Sequence, residues 1–340
     1  MKPNSTALLG LAILAGIALV TPAFGVVSID YAYVGDIGNA ADTTGFGSVG
    51  YAYNIAKNET TVSQYADFLN AAAKTDPYGL YNSVMGDYTP TAGITRSGIS
   101  GSYTYSVVTG SGNKPITSIS WFMAARFCNW MQNGQGSGST ETGAYALNGA
   151  TSGIITKSVG ATVWIPSENE WYKAAYYDPS KGTSGGYWLY PTQSDTMAGN
   201  TIGIAQSANY FDGDYVGSGT RFSPSSNALT DAGAYGANSA SHYGTNDQGG
   251  NAWEWNDAVS GTNRGVRGGA WTQAYAPGGL VSSDRHTISP SFSGDPSFGF
   301  RIASVPEPSC MGLTLLAIGG VLLGRRRRPA REIHPNKPHR

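Results

Sequence analysis

Apolar and polar positions follow a helical period in only three places along the chain. Val62, Tyr65, Ala66 and Leu69 stand at i, i+3, i+4 and i+7, which puts them on one buried stripe of a helix. Thr61-Val62-Ser63-Gln64 opens that helix as a capping box, in which the threonine and the glutamine three residues later satisfy each other's free backbone N–H groups. Ser120 starts a second helix, Trp121 to about Met131, which is apolar on nearly every side and is therefore expected at the centre of the fold. After Pro166, Ser167-Glu168-Asn169-Glu170 is another capping box and begins a helix carrying Trp171, Ala174 and Ala175, expected to stop at Asp178-Pro179. Residues 26 to about 50 read as strands and turns. Residues 132–162 and 178–245 are long, polar and weakly periodic, and such loops are uncommon in a compact domain unless they are functional or ligand-stabilised. No repeat and no low-complexity linker divides the middle of the chain. The pattern predicts one loop-rich α+β domain over residues 26–303.

The two ends follow a different logic. One positive side chain, Lys2, precedes the fourteen-residue apolar and glycine run Ala7–Val20, with small residues at Ala23 and Gly25. That order predicts an export signal over residues 1–25, cut near Gly25/Val26, because a permanent span needs about 20 apolar residues. At the other end, Val305-Pro306-Glu307-Pro308 leads into an apolar stretch from Cys310 to Gly324 and then the four arginines Arg325–Arg328. An apolar helix ending in arginines inserts with the arginines on the cytoplasmic side. Residues 305–328 resemble the PEP-CTERM sorting signal. The resemblance implies a transient membrane anchor, processing by an exosortase, and display on the surface or matrix of a Gram-negative-type bacterium. Residues 329–340 form a short polar tail beyond the usual end of such signals, and an ordinary single-pass anchor is the alternative.

Between the ends, residues 26–309 hold 13 Lys+Arg and 21 Asp+Glu, a net charge of −8. This excludes a basic nucleic-acid footprint and favours neutral glycans or cations over polyanions. Glycine is frequent, 47 of 340 residues, against a usual share of about 7%, so the chain has many turns and relies on aromatic residues for its core. The two cysteines, Cys128 and Cys310, cannot build a disulfide framework within the domain.

Five motifs carry a family resemblance. Pro115-Ile116-Thr117-Ser118-Ile119-Ser120-Trp121, followed by Ala124, Ala125, Phe127 and Cys128-Asn129-Trp130, is the first. Trp164-Ile165-Pro166-Ser167-Glu168-Asn169-Glu170-Trp171 is the second. Asp247-Gln248-Gly249-Gly250-Asn251-Ala252-Trp253-Glu254-Trp255, Arg267-Gly268-Gly269-Ala270-Trp271 and Gly299-Phe300-Arg301 complete the set. Together, over roughly residues 50–303, they resemble the formylglycine-generating enzyme and sulfatase-modifying-factor family. The resemblance implies a loop-rich α+β fold related to C-type lectins.

In the oxidising members of that family a pair of cysteines after the fourth motif binds copper, since soft thiolates hold Cu(I). Here the matching positions fall near Gln273 and Gly278, and Asn129–Ser309 contains no cysteine. The resemblance therefore implies neither a copper centre nor formylglycine formation, and no catalytic residue is assigned. Cys128 reads as a small core residue. His242 and His286 stay in view because some relatives use histidines and iron; His286 with Asp284 also permits a Ser-His-Asp arrangement on paper, without the elbow motif that would support it. Structural calcium is implied at Asn209, Asn251 and Glu254, with backbone oxygens of Gly249 or Gly250 and nearby Asp212 and Asp214, as hard cations prefer oxygen donors. The alternative for Glu254 is a buried pair with Arg267 or Arg301. Trp253, Trp255 and Trp271 read as core aromatics, and Tyr187, Trp188 and Tyr190, in a glycine-rich loop, as an exposed surface for a glycan or an extracellular protein. The leading functional expectation is a diverged binding or structural module at the cell surface. The alternative is an oxidoreductase of the same family acting on a protein or small molecule.

Overall fold

Three short polar side chains set the helix starts. Thr61 accepts the N–H of Gln64, Ser120 that of Met123 and Ser167 that of Glu170, each at the head of a helix. These are α1 (Val62–Ala72), α3 (Trp121–Gln132) and α4 (Glu168–Tyr176), with one turn, α2 (Val84–Asp87), between the first two. The computed structural model describes residues 26–183, 185–196, 199–213, 227–272 and 279–306. The apolar run Ala7–Val20, the tail from Glu307 onward, Asp214, Gln273 and Gly278 lie outside the described residues. Among those described, no helix is long and apolar enough to cross a membrane.

Two small four-stranded sheets frame the helices. In the first, β1 (Tyr31–Val34), β2 (Tyr53–Ala56), β12 (Ala303–Ser304) and β5 (Val163–Trp164) lie side by side in that order, all antiparallel. The last strand thus closes between two early ones, so the ends of the domain meet in one sheet. The second sheet has the order β10 (His286–Ile288), β9 (Asn263–Arg267), β8 (Trp253–Ser260), β11 (Phe298–Gly299), with β11 parallel to β8. Two hairpins, β3 (Ile94–Ser97) with β4 (Thr104–Val107) and β6 (Tyr177–Asp178) with β7 (Gly186–Tyr187), complete the described strands.

The predicted stripe of α1 is buried, and Phe68 joins it. Between α1 and α3, the rings of Tyr65, Phe68, Phe127, Trp130 and Phe300 contact one another at 5.3–6.4 Å between centroids; tilted and edge-to-face pairs suit the ring quadrupoles. Cys128 is fully buried in this region, and burial pushes its thiol well above the usual range.

Two features of the helices depart from the sequence reading. First, α4 ends at Tyr176 and the chain continues as β6, so Asp178 is a strand residue rather than a helix stop. Second, charged side chains enter the centre. Arg126 of α3 is buried and forms a two-pronged pair with Glu141, Nε–Oε1 at 2.8 Å and Nη2–Oε2 at 2.9 Å. Glu141 belongs to the long polar segment after α3. Asn129 holds the same segment by donating to the Thr140 and Tyr145 carbonyls and accepting from the Tyr145 N–H. The loop needs no periodicity of its own because helix side chains satisfy its backbone.

Candidate functional site

The Trp253-Glu254-Trp255 motif lies in β8, where neighbouring side chains point to opposite faces. Glu254 faces inward. Its Oε2 accepts from Arg301 Nε at 2.5 Å and from Trp171 Nε1 at 2.7 Å, and its Oε1 accepts from Arg301 Nη2 at 2.6 Å. Both members of the pair are fully buried. Arg301 spends its remaining donors on the carbonyls of Ala56, Lys57 and Asn246, so one guanidinium ties the two sheets to the motif loop.

The residues expected to hold calcium do come together, but around protein donors. Asn209 Nδ2 donates to Asn251 Oδ1 at 2.9 Å, and the Thr230 N–H reaches the same oxygen at 3.2 Å. Glu254 belongs to Arg301, the pairing that stood as the alternative for this residue. The set Asn209, Asn251 and Glu254 therefore does not fit calcium: a cation there would have to displace a buried guanidinium from its carboxylate. Among the described residues no group of three or more His, Cys, Asp or Glu is placed to hold a metal ion. Gly250, in the same loop, has φ +83° and lies so close to Asn209 that an added Cβ would meet its carbonyl oxygen at 2.3 Å.

Two further carboxylates approach this centre, and the sequence reading missed their role. Glu59 is buried, reached by Asn251 Nδ2 only at 3.4 Å, while its Oε1 has no partner among the described residues. Burial raises its carboxyl well above the usual range, and the carboxylates of Asp247 and Glu254 push the same way. Asp247 accepts the Gly233 N–H at 2.5 Å; burial lifts its carboxyl from 3.8 to about 6 despite that bond. The unfolded chain releases the Asp247 proton above pH 3.8, whereas the folded state keeps it to about pH 6. Stability is therefore greatest below this window and falls as pH rises through it, by up to about 3 kcal/mol for this group. Asp247→Asn, which mimics the protonated form, is expected to remove that component from urea unfolding measured at pH 4 to 7. An unchanged pH slope would show that Asp247 does not titrate in this window.

The predicted aromatic surface is a correction. Tyr190 is only 5% exposed and packs with Ala208, Tyr210 and Leu280. Tyr187 is half-buried against Tyr172 and Tyr177, and its hydroxyl donates to the Ala40 carbonyl at 2.7 Å and accepts from Asn39. Trp188 donates to Asp178 Oδ2 at 3.1 Å under the Lys181 ammonium. The pairing of β6 with β7 turns these rings into the wall that pins the glycine-rich loop, so they form no shared exposed platform. His242 and His286 are held separately, His242 by Asp178 at 3.1 Å and His286 by Asp284 at 3.2 Å.

The opposite face of the second sheet carries an open cleft of about 310 Å³. Trp253, Val266, Ile288 and Phe298 supply its apolar wall, one from each strand. Thr272, His286, Asp295 and Ser297 supply a polar rim. The His286 ring stands edge-on to Trp253, 5.0 Å between centroids. Asp295 Oδ1 accepts the Ser297 N–H at 2.8 Å, and the Ser297 and Thr272 hydroxyls lie 3.4 Å apart. Trp253, read from sequence as core, thus also lines a surface cleft. The alternation within the motif was the available signal, since an inward Glu254 sends Trp253 to the other face. Nothing in the sequence singled out Asp295.

Residues 47–305 match the sulfatase-modifying factor enzyme 1-like domain. The chain belongs to the sulfatase-modifying-factor family. Among solved structures it is similar to Treponema denticola variable protein 1, at 16% identity and TM-score 0.45, over 83% of this chain and 97% of that one. It is similar to CarF at 17% identity and TM-score 0.48, over 83% and 100% of the two chains. PvdO from Pseudomonas aeruginosa is a further similar structure, at 14% identity and TM-score 0.40, over 82% and 92%. No curated protein matches the chain. In this member of the sulfatase-modifying-factor family, the most diagnostic motif supplies both the buried Glu254–Arg301 pair and, through Trp253, the wall of the cleft.

Proposed function

We propose that the protein is exported and works at the cell surface as a binding module on a sulfatase-modifying-factor scaffold, without the family's copper chemistry. The observation that carries this reading is that Asn129–Ser309 is free of cysteine, including the neighbourhood of Gln273 and Gly278 where the resemblance puts the oxidising relatives' pair. Neither an amide nor a glycine supplies the thiolates that Cu(I) requires. Cys128 does not replace them, because it is fully buried with its thiol pushed toward the protonated form. The cleft beside Thr272 supports the binding role: an apolar wall with a few convergent polar groups is the usual make-up of a ligand site. The run Ala7–Val20 and the Val305–Arg328 tail support export, exosortase processing and a ligand among matrix glycans or extracellular proteins.

Elemental analysis of protein purified from a copper-replete host tests the first half. The expected result is less than stoichiometric copper and iron, with no oxygen consumption in the presence of thiol peptides. Stoichiometric copper together with turnover would sink the reading in favour of an oxidase. N-terminal sequencing of the exported protein tests the second half, with Val26 expected as the first residue.

A further inference from the structure

Resting on the binding-module reading, we infer that the cleft lined by β8–β11 takes a neutral pyranose of a glycan. The cleft is two-sided in its chemistry. One side is carbon, offered only as edges: Trp253 and Phe298, 9% and 7% exposed, with the half-buried Ile288 beside them. The other is a closely spaced set of hydrogen-bonding groups: the Asp295 carboxylate, the Ser297 and Thr272 hydroxyls and the His286 imidazole.

A pyranose has the matching division. The C–H groups on one face of the ring are apolar and pack against aromatic carbon, while its hydroxyls lie at the edge and both donate and accept. Asp295 engages only one oxygen, Oδ1, with a described protein donor, the Ser297 N–H; a carboxylate has further lone pairs for sugar hydroxyls. Ser297 and Thr272 hydroxyls can each donate or accept, as a sugar hydroxyl requires. A quaternary ammonium ligand would use Asp295 but carries no donor or acceptor for the two hydroxyls and the imidazole. An acidic sugar would meet the Asp295 carboxylate on the rim and a domain of net charge −8, which disfavours it. The cleft volume of about 310 Å³ lies at the low end of ligand sites, roughly 300–1,000 Å³, which suits a single sugar ring rather than a long buried chain.

Saturation-transfer NMR on the full-length chain in mild detergent tests the inference, with methyl glycosides of glucose, galactose and mannose as probes. Glucuronic acid and tetramethylammonium serve as the acidic and cationic comparisons. Transfer to the ring C–H protons of at least one neutral glycoside is expected. Asp295→Asn keeps an acceptor for the Ser297 N–H but removes the charged one, and should weaken that binding about tenfold or more, as for loss of a hydrogen bond to a charged group. His286→Ala should weaken it in the same direction. Circular dichroism spectra superimposable on the parent's would show that both variants are folded. Glycoside binding that both folded variants leave unchanged would overturn the assignment to this cleft. Tetramethylammonium binding without glycoside binding would overturn the sugar class while leaving the binding-module reading intact. If no probe binds and the protein carries copper, both fall together.

Discussion

Arg301→Met is expected to lower the free energy of unfolding by about 3–5 kcal/mol, the usual cost of leaving one member of a buried ion pair behind. The wild-type pair is fully buried and joined through Nε and Nη2, so the variant leaves the Glu254 charge buried without its counter-ion. Three backbone carbonyls, of Ala56, Lys57 and Asn246, lose their donor at the same time. Glu254→Leu alone should be comparably severe, because it leaves the guanidinium unpaired. The double variant should be less destabilised than the sum of the singles by about 1–3 kcal/mol, the coupling typical of residues in direct contact. Urea unfolding of the four proteins measures this. Strict additivity would mean that the two side chains do not depend on each other, contrary to the geometry.

Gly250→Ala should cost about 2–5 kcal/mol, from two sources that add. Its φ of +83° is a conformation that costs an L-residue roughly 1–2 kcal/mol. The new methyl would also fall 2.3 Å from the Asn209 carbonyl oxygen, and forcing extra atoms into a packed site costs typically 1–3 kcal/mol. That oxygen accepts the Asn251 N–H at 2.7 Å, so backing away from the methyl breaks the contact that joins the two loops. A thermal midpoint within about 2 °C of the wild type would show that the loops separate cheaply, and would remove Asn209–Asn251 from the elements that hold this region.

Much of the fold was legible along the chain because it rests on local chemistry. The capping sequences at Thr61 and Ser167 mark helix starts through bonds made within four residues, and the α1 stripe is a matter of spacing alone. Cys128 as a core residue followed from its place on an apolar helix. The site was less legible. The sequence left Glu254 between calcium and an arginine, and only the return of Arg301 in the closing strands, 47 residues away, settles which. Tyr187, Trp188 and Tyr190 stand in a loop whose composition suggests exposure. Tyr187 is half-buried by Asn39 and Ala40 and Tyr190 buried against Leu280, partners far off in sequence that carry no local signal, while Trp188 is held by the nearer Asp178 and Lys181.

The chain by itself carried the family's five motifs in order and left Asn129–Ser309 without a cysteine. Both are statements of residue identity, which folding does not alter. The tertiary structure decided which atoms remain free to act. Glu254 meets a buried guanidinium and Trp253 lines a cleft with an edge on the other face because a strand alternates its faces. The rim of that cleft is assembled from Thr272, His286 and the local pair Asp295–Ser297, brought together when β8, β9, β10 and β11 are hydrogen-bonded into one sheet.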